Sequence, residues 1–293
     1  MKKYKTSIIM VLFFFMGLLI LLYPAISSYY NEKVGSKAIA DYESLLANFK
    51  KEDYTKIFEN ANNYNNQLRN LKAPLLEHKK LTEYNNLLNI NNNGMIGYIS
   101  IDNIKVELPI YHGTDENVLS KAVGHLEGTS LPIGGPNTHS VLSAHRGLPS
   151  SKLFTNLDKL EIGDTFTIII LDQLLTYEID KIKIVEPDEI EDLKIEENKD
   201  YVTLLTCTPY GINTHRLLVR GTRIENIQNK TIYISTEAFK ISYLIVTPLV
   251  ALPIILTLLL IIIFKPIENI NLREYLCKKD INNRREKYDN KEN

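Results

Sequence analysis

The chain has 293 residues, enough for one or two domains, and 34 Lys and Arg stand against 35 Asp and Glu for a formal net charge of −1. That balance excludes the basic footprint of a nucleic-acid binder. There is no internal repeat and no phosphate-binding glycine loop.

Residues 1–6 are a short basic start with Lys2, Lys3 and Lys5, and residues 7–24 are almost wholly apolar. The apolar core, residues 7–23, is 17 residues long. This is the lower limit for crossing a bilayer and long for a signal-peptide core. It reads as an uncleaved anchor with the basic end in the cytoplasm. The small residues Ala25, Ser27 and Ser28 keep cleavage as the alternative. Residues 25–92 are polar and rich in Asn and Lys. Ile39, Tyr42, Leu45, Leu46 and Phe49 share one helical face, and Tyr54, Ile57, Phe58, Ala61 and Leu68 share another. The spacing predicts two amphipathic helices packed on a main domain, with His78 as a solvated helix residue.

Residues 93–226 change character. Residues 104–110 alternate between apolar and polar, as does the run ending at Cys207. Residues 140–144, 165–171 and 175–185 read as further strands, with a short helix after Asp115 over 116–123 and a helical connection near 188–193. Many short strands joined by polar connections predict a mainly β domain, a closed barrel or a sandwich. Residues 227–240 form a polar linker. Residues 241–264 are a second apolar span of 24 residues, whose Pro248 and Pro253 a membrane helix tolerates. The basic tail, 265–293, places the C-terminus in the cytoplasm as well, so that the central domain lies outside the cell membrane between two transmembrane helices.

On that topology the two cysteines, Cys207 and Cys277, lie on opposite sides of the bilayer, which leaves Cys207 as a lone thiol in an oxidising compartment. Cys207 ends a strand just before the Pro209–Gly211–Asn213 loop, and Arg216 opens the next apolar run. If the two strands pair, thiol and guanidinium face one cleft. A thiol attacks a carbonyl only as thiolate and needs a base or a nearby cation. His215 and Arg216 are neighbours and point to opposite faces of a strand, so only one of them can share the cleft with Cys207. His139 lies about 20 Å from His145 at strand rise. Arg220 shares a face with Arg216 but sits about 13 Å further along.

Thr203-Leu204-Leu205-Thr206-Cys207 resembles the TLxTC signature of the sortases, and Ser143-Ala144-His145-Arg146-Gly147 resembles the segment carrying their histidine. Residues 206–221 and the two flanking spans look most like class C, the pilin-polymerising branch. The resemblance covers roughly residues 94–222. It implies a closed sortase-type β-barrel and a membrane-anchored cysteine transpeptidase with no metal and no cofactor. Cys207 is then the nucleophile, His145 the acid–base partner, and Arg216 the donor to the oxyanion or substrate carbonyl, with Thr206 and Thr208 at the substrate. The implied reaction cleaves an LPxTG-like sorting signal and joins the acyl group to a lysine amine of another pilin. The alternatives are a sortase of another class that anchors proteins to the cell wall, a hydrolysing cysteine protease, and a non-enzymatic scaffold for pilus assembly. Class C also implies a lid over the cleft, and the nearest match is Pro74, Leu75 and Leu76. The acid and aromatic of the usual Asp-Pro-aromatic anchor are absent there, so either Leu is a weak plug or the cleft stands open.

Overall fold

The computed structural model describes residues 2–226 and Ile255. The linker, the second span, the basic tail and Cys277 therefore lie outside the described residues. Helix α1 (Lys2–Leu46) is a single helix of 45 residues. Sequence reading divides it at Pro24, but the proline sits inside the helix, which continues to Leu46. Among the described residues α1 is long and apolar enough to cross a membrane, and its exposed residues include Leu12, Phe13, Leu19, Ile20 and Leu21.

Among the described residues, 18–226 belong to one compact unit. Within it, α2 (Lys51–Arg69) starts where the Asp53 carboxylate accepts the Lys50 N–H at 3.1 Å, a carboxylate at a helix N-terminus. Its buried side is Ala61, Tyr64, Asn65 and Leu68. Both helices dock through polar anchors as well as apolar faces. The Tyr42 hydroxyl donates to the Ile96 carbonyl at 3.1 Å and accepts the Leu171 N–H at 2.9 Å. The Asn65 amide exchanges two hydrogen bonds with the Leu131 backbone, at 3.2 and 2.8 Å.

The barrel strands are β1 (Met95–Ile101), β2 (Val106–His112), β3 (Val123–His125), β4 (Thr138–Ser143), β5 (Thr165–Ile170), β6 (Gln173–Val185), β7 (Asp200–Thr208) and β8 (His215–Ile224). They close in the order β1-β2-β3-β4-β7-β8-β6-β5. The β2–β3 and β4–β7 pairs are parallel and the other pairs antiparallel. Of the barrel and the sandwich that the strand pattern allows, the closed barrel that the resemblance implies is present. The helix predicted over 116–123 shrinks to α4 (Glu116–Leu119), because Val123 and Gly124 are already in β3. The connection near 188–193 holds only a single 3-10 turn, Glu191–Leu193.

Alternation sorts β7 between two cores. Val202 and Leu204 point inward to the main core with Leu217 and Val219 of β8. Leu205 points outward and packs with Val141, Val185, Leu193 and Leu218 in a second cluster beneath the β6–β7 connection. Each fully buried aliphatic of this kind contributes about 1.5–3 kcal/mol. Cys207 shares the outward parity of Leu205, so this wall presents the thiol outside the barrel.

Candidate active site

Cys207 and Arg216 are direct cross-strand partners in the antiparallel β7–β8 pair. Directly opposed residues project from the same face, with their Cβ atoms about 5 Å apart. The pairing that sequence reading made conditional is therefore present. Cys207 is a half-buried free thiol. One nitrogen of Arg216, NH1, donates to the carbonyls of Asn213 (3.2 Å) and His215 (3.1 Å). Its other nitrogens make no hydrogen bond among the described residues, which leaves one side of the fork available to a carbonyl or oxyanion.

The third group arrives from the other neighbour of β7. Parallel β4 pairs Ser143 with Leu205, so two residues further His145 comes level with Cys207. The His145 side chain is 28% exposed, and its Nε2–H donates to the Glu116 carboxylate of α4 at 3.1 Å. A carboxylate only accepts, so this bond places the proton on Nε2 and leaves Nδ1 as the basic nitrogen of the neutral ring. Glu116 lies 29 residues upstream of His145, where no local sequence pattern reveals it as a partner.

The competing histidines are structural. His139 is 1% exposed; its Nδ1–H donates to the Lys194 carbonyl (2.8 Å), and Nε2 accepts the Thr203 hydroxyl (2.7 Å). His125 is fully buried; its Nε2–H donates to the Ser130 carbonyl (2.8 Å), so Nδ1 accepts from Tyr84 Oη (2.8 Å). His78 is half-buried rather than solvated, with Nδ1–H on the Leu75 carbonyl (3.0 Å) and Nε2 paired with Glu127 (3.3 Å). Arg220 is committed elsewhere, to Asp180 by two bonds of 3.1 and 2.9 Å and to Glu196, with its guanidinium 4.0 Å over the Tyr201 ring.

Two readings need correction. Thr206 does not face a substrate: it is 1% exposed and its hydroxyl donates to the Ala144 carbonyl at 2.8 Å. The reason is parity, since outward Cys207 forces Thr206 inward. Leu76 plugs no cleft either, because it is 80% exposed. The short helix α3 (Pro74–Glu77) lies with its backbone on Gly128 of the β3–β4 connection. Gly128 has φ +85°, and a Cβ there would meet Leu75 Cα at 2.8 Å and the Pro74 carbonyl at 2.9 Å, so only glycine fits. No hydrogen bond or ion pair joins Pro74, Leu75 or Leu76 to Cys207, His145 or Arg216 among the described residues. Thr208 is 7% exposed, and its hydroxyl accepts from Arg146 at 3.2 Å.

Arg146 is the residue that sequence reading missed. It stood in view beside His145, but its side-chain partners Thr208 and Asp158 are distant in sequence. No cluster of His, Cys, Asp and Glu that could hold a metal ion occurs among the described residues.

A sortase-domain family model matches residues 99–224. Sortase C1 of Streptococcus agalactiae is similar in structure at 50% identity and a TM-score of 0.61, covering 65% of this chain and 99% of that one. The chain belongs to the sortase family. Sortases are cysteine transpeptidases. A Clostridium perfringens sortase C, solved with the C-terminal cell wall sorting motif, is 51% identical at a TM-score of 0.57, covering 65% of this chain and 99% of that one. Sortase D of Bacillus subtilis strain 168 is 34% identical over 131 residues, 44% of this chain; the match spans 63% of that relative's length. The structural neighbours named here are sortases of class C, in agreement with the branch that residues 206–221 resemble.

Proposed function

We propose that this sortase is a membrane-anchored pilin polymerase in which Cys207, His145 and Arg216 carry the reaction. The Cys207 thiolate attacks the carbonyl of an LPxTG-like sorting signal. Arg216 donates to the oxyanion that forms, and protonated His145 gives its proton to the leaving amine as the C–N bond breaks. The thioester on Cys207 is then attacked by a lysine amine of the next pilin, His145 takes up the amine proton, and an isopeptide bond forms with the thiolate restored. The β7–β8 register that sets Cys207 opposite Arg216 is the observation that carries this reading, and the parallel β4–β7 pairing runs to Ser143 and Leu205, two residues before His145 and Cys207. It is supported by the likeness to a sortase C solved with a sorting motif. An apolar α1 suits the task, since a tethered enzyme meets tethered substrates at raised effective concentration.

The test is product analysis with the full chain in detergent, a sorting-signal peptide and a pilin-derived lysine donor. A Cys207 thioester and an isopeptide-linked product are expected, both lost in Cys207→Ala. Hydrolysed peptide alone would sink the polymerase reading. A second reading, attachment of surface proteins to the cell wall, is favoured by the missing acid and aromatic around Pro74. It predicts preference for a peptidoglycan-type amine over the pilin lysine.

A further inference from the structure

His145 and Cys207 are each flanked by residues that bind each other. On the N-terminal side of the pair, the Thr206 hydroxyl donates to the Ala144 carbonyl at 2.8 Å and the Ala144 N–H donates to the Leu205 carbonyl at 3.2 Å. On the C-terminal side, Arg146 NH1 donates to the Thr208 hydroxyl at 3.2 Å while NH2 pairs with Asp158. The histidine and the nucleophile therefore sit between two bridges, one neutral and deep in the barrel, the other ionic and nearer the surface.

We propose that Arg146 is a positioning residue that closes this two-point clamp and holds His145 at reacting distance from Cys207. The proposal rests on the roles given to those two residues above. Four observations support it. The Arg146 side chain is only 8% exposed although it ends in a cation, and a buried guanidinium needs fixed partners. Asp158, on the β4–β5 connection, pairs with it and neutralises its charge. Its guanidinium lies 6.0 Å from the Tyr210 ring centroid, on the loop that leaves Cys207. That ring in turn lies over Gly147, where a Cβ would meet it at 2.9 Å and φ is +77°.

The loop itself has its own supports. The Phe154 N–H reaches the His145 carbonyl at 3.2 Å and the Thr155 hydroxyl accepts the Gly147 N–H at 3.2 Å. Those bonds fold the segment but do not reach β7. Among the described residues, the side chains that tie the flanks of His145 to the flanks of Cys207 by hydrogen bonds are Thr206, which bonds Ala144, and Arg146, which bonds Thr208; Arg146 is the one C-terminal to His145. The last backbone bond from this segment to β7 among the described residues is the one from Ala144 to Leu205, so beyond it position relative to β7 depends on side chains. A misplacement of about 1 Å between reacting groups costs on the order of 100-fold in rate.

The test uses the full chain in detergent and a sorting-signal peptide, reading kcat and KM for peptide cleavage and the pH profile of Cys207 alkylation by iodoacetamide. Arg146→Gln should lower kcat by about 10–100-fold with KM within about 2-fold. Its alkylation profile should move toward that of His145→Ala. Arg146→Lys, which keeps the charge but loses the fork, should not restore kcat. Thr208→Val removes only the acceptor and preserves side-chain volume, so it serves if Arg146→Gln fails to fold; about 3–10-fold loss in kcat is expected. The double variant should be no worse than Arg146→Gln alone, because both break one bridge. Wild-type kcat and an unmoved alkylation profile in both single variants, with only a lower melting temperature, would overturn the clamp. Turnover that survives in Cys207→Ala or His145→Ala would instead overturn the reaction on which the clamp depends.

Discussion

His139 and His145 stand six residues apart on β4 and its exit, and their surroundings are opposite. His139 is buried with both ring nitrogens bonded, to Lys194 and Thr203. His145 is partly exposed and has one contact, to a carboxylate that is itself 76% exposed. The same contrast runs along β7. Thr203 and Thr206 are buried and satisfied, whereas Cys207 is a free thiol and Arg216 uses only one nitrogen. Beneath the site His139, Thr203 and Thr206 have their hydrogen bonds, whereas at the edge the Cys207 thiol and part of the Arg216 fork do not among the described residues. Rigidity and reactivity are thus separated by one or two residues of strand. A satisfied network below fixes geometry, and unfilled valences above are free for the substrate.

The largest break of this contrast comes from acid. Burial holds His125 neutral and pushes its pKa from 6.5 down to about 3, and burial lowers His112 and His139 as well. Below pH 6.5 the unfolded chain binds protons that the folded barrel refuses, so stability is present above that pH and is lost as pH falls toward 3. His125 alone contributes up to about 1.4 kcal/mol per pH unit, or about 2 kcal/mol between pH 6.5 and 4.5, and His112 and His139 add in the same direction. Urea unfolding midpoints across that window should fall steeply. In His125→Gln, where the amide can still serve Ser130 and Tyr84, the fall should be shallower by one histidine. An unchanged slope would remove His125 from the explanation.

A smaller break targets one bond of the buried layer. Thr203→Val keeps the shape but removes the hydroxyl that His139 Nε2 accepts, leaving a buried acceptor unpaired at a cost of about 1–3 kcal/mol. Because Thr203 lies four residues from Cys207, stability should drop while kcat of the folded enzyme stays within about 3-fold. A collapse in kcat with normal stability would mean that the two layers are not separate.

Alternation made most of this architecture legible. It marked the β7 and β8 strands and, on the condition that they pair, the shared face of Cys207 and Arg216, while strand rise set His139 apart from His145. It would also have placed Thr206 indoors had the parity fixed by Cys207 been carried back one residue. The elements that escaped are those whose cause is not periodic. At three residues, β3 is too short to show alternation, so Val123 reads as the end of a helix. Pro24 reads as a boundary, although a single proline interrupts one helical bond and α1 continues past it. Arg146 and Glu116 act through partners 62 and 29 residues away, and only barrel closure brings those together. At Pro74 the sequence left a weak leucine plug or an open cleft; the short helix there lies with its backbone on Gly128, and Leu76 is in solvent.

The smallest effect is expected at Glu116, and it separates a triad from a dyad. In a triad, the residue that orients the histidine is buried, and its loss costs several powers of ten in turnover. Glu116 lies at the other extreme, on a four-residue helix in open solvent. Exposed pairs of this kind contribute about 0–1 kcal/mol and weaken with salt. Glu116→Gln retains an acceptor for His145 Nε2–H and removes only the charge. It should lower kcat/KM by no more than about 3-fold at low salt, with the difference vanishing near 0.5 M salt where the Debye length is only about 4 Å. Salt-dependent kinetics of the two proteins check this directly. A salt-independent loss above about 30-fold would place Glu116 inside the catalytic unit and make the edge as ordered as the layer beneath it.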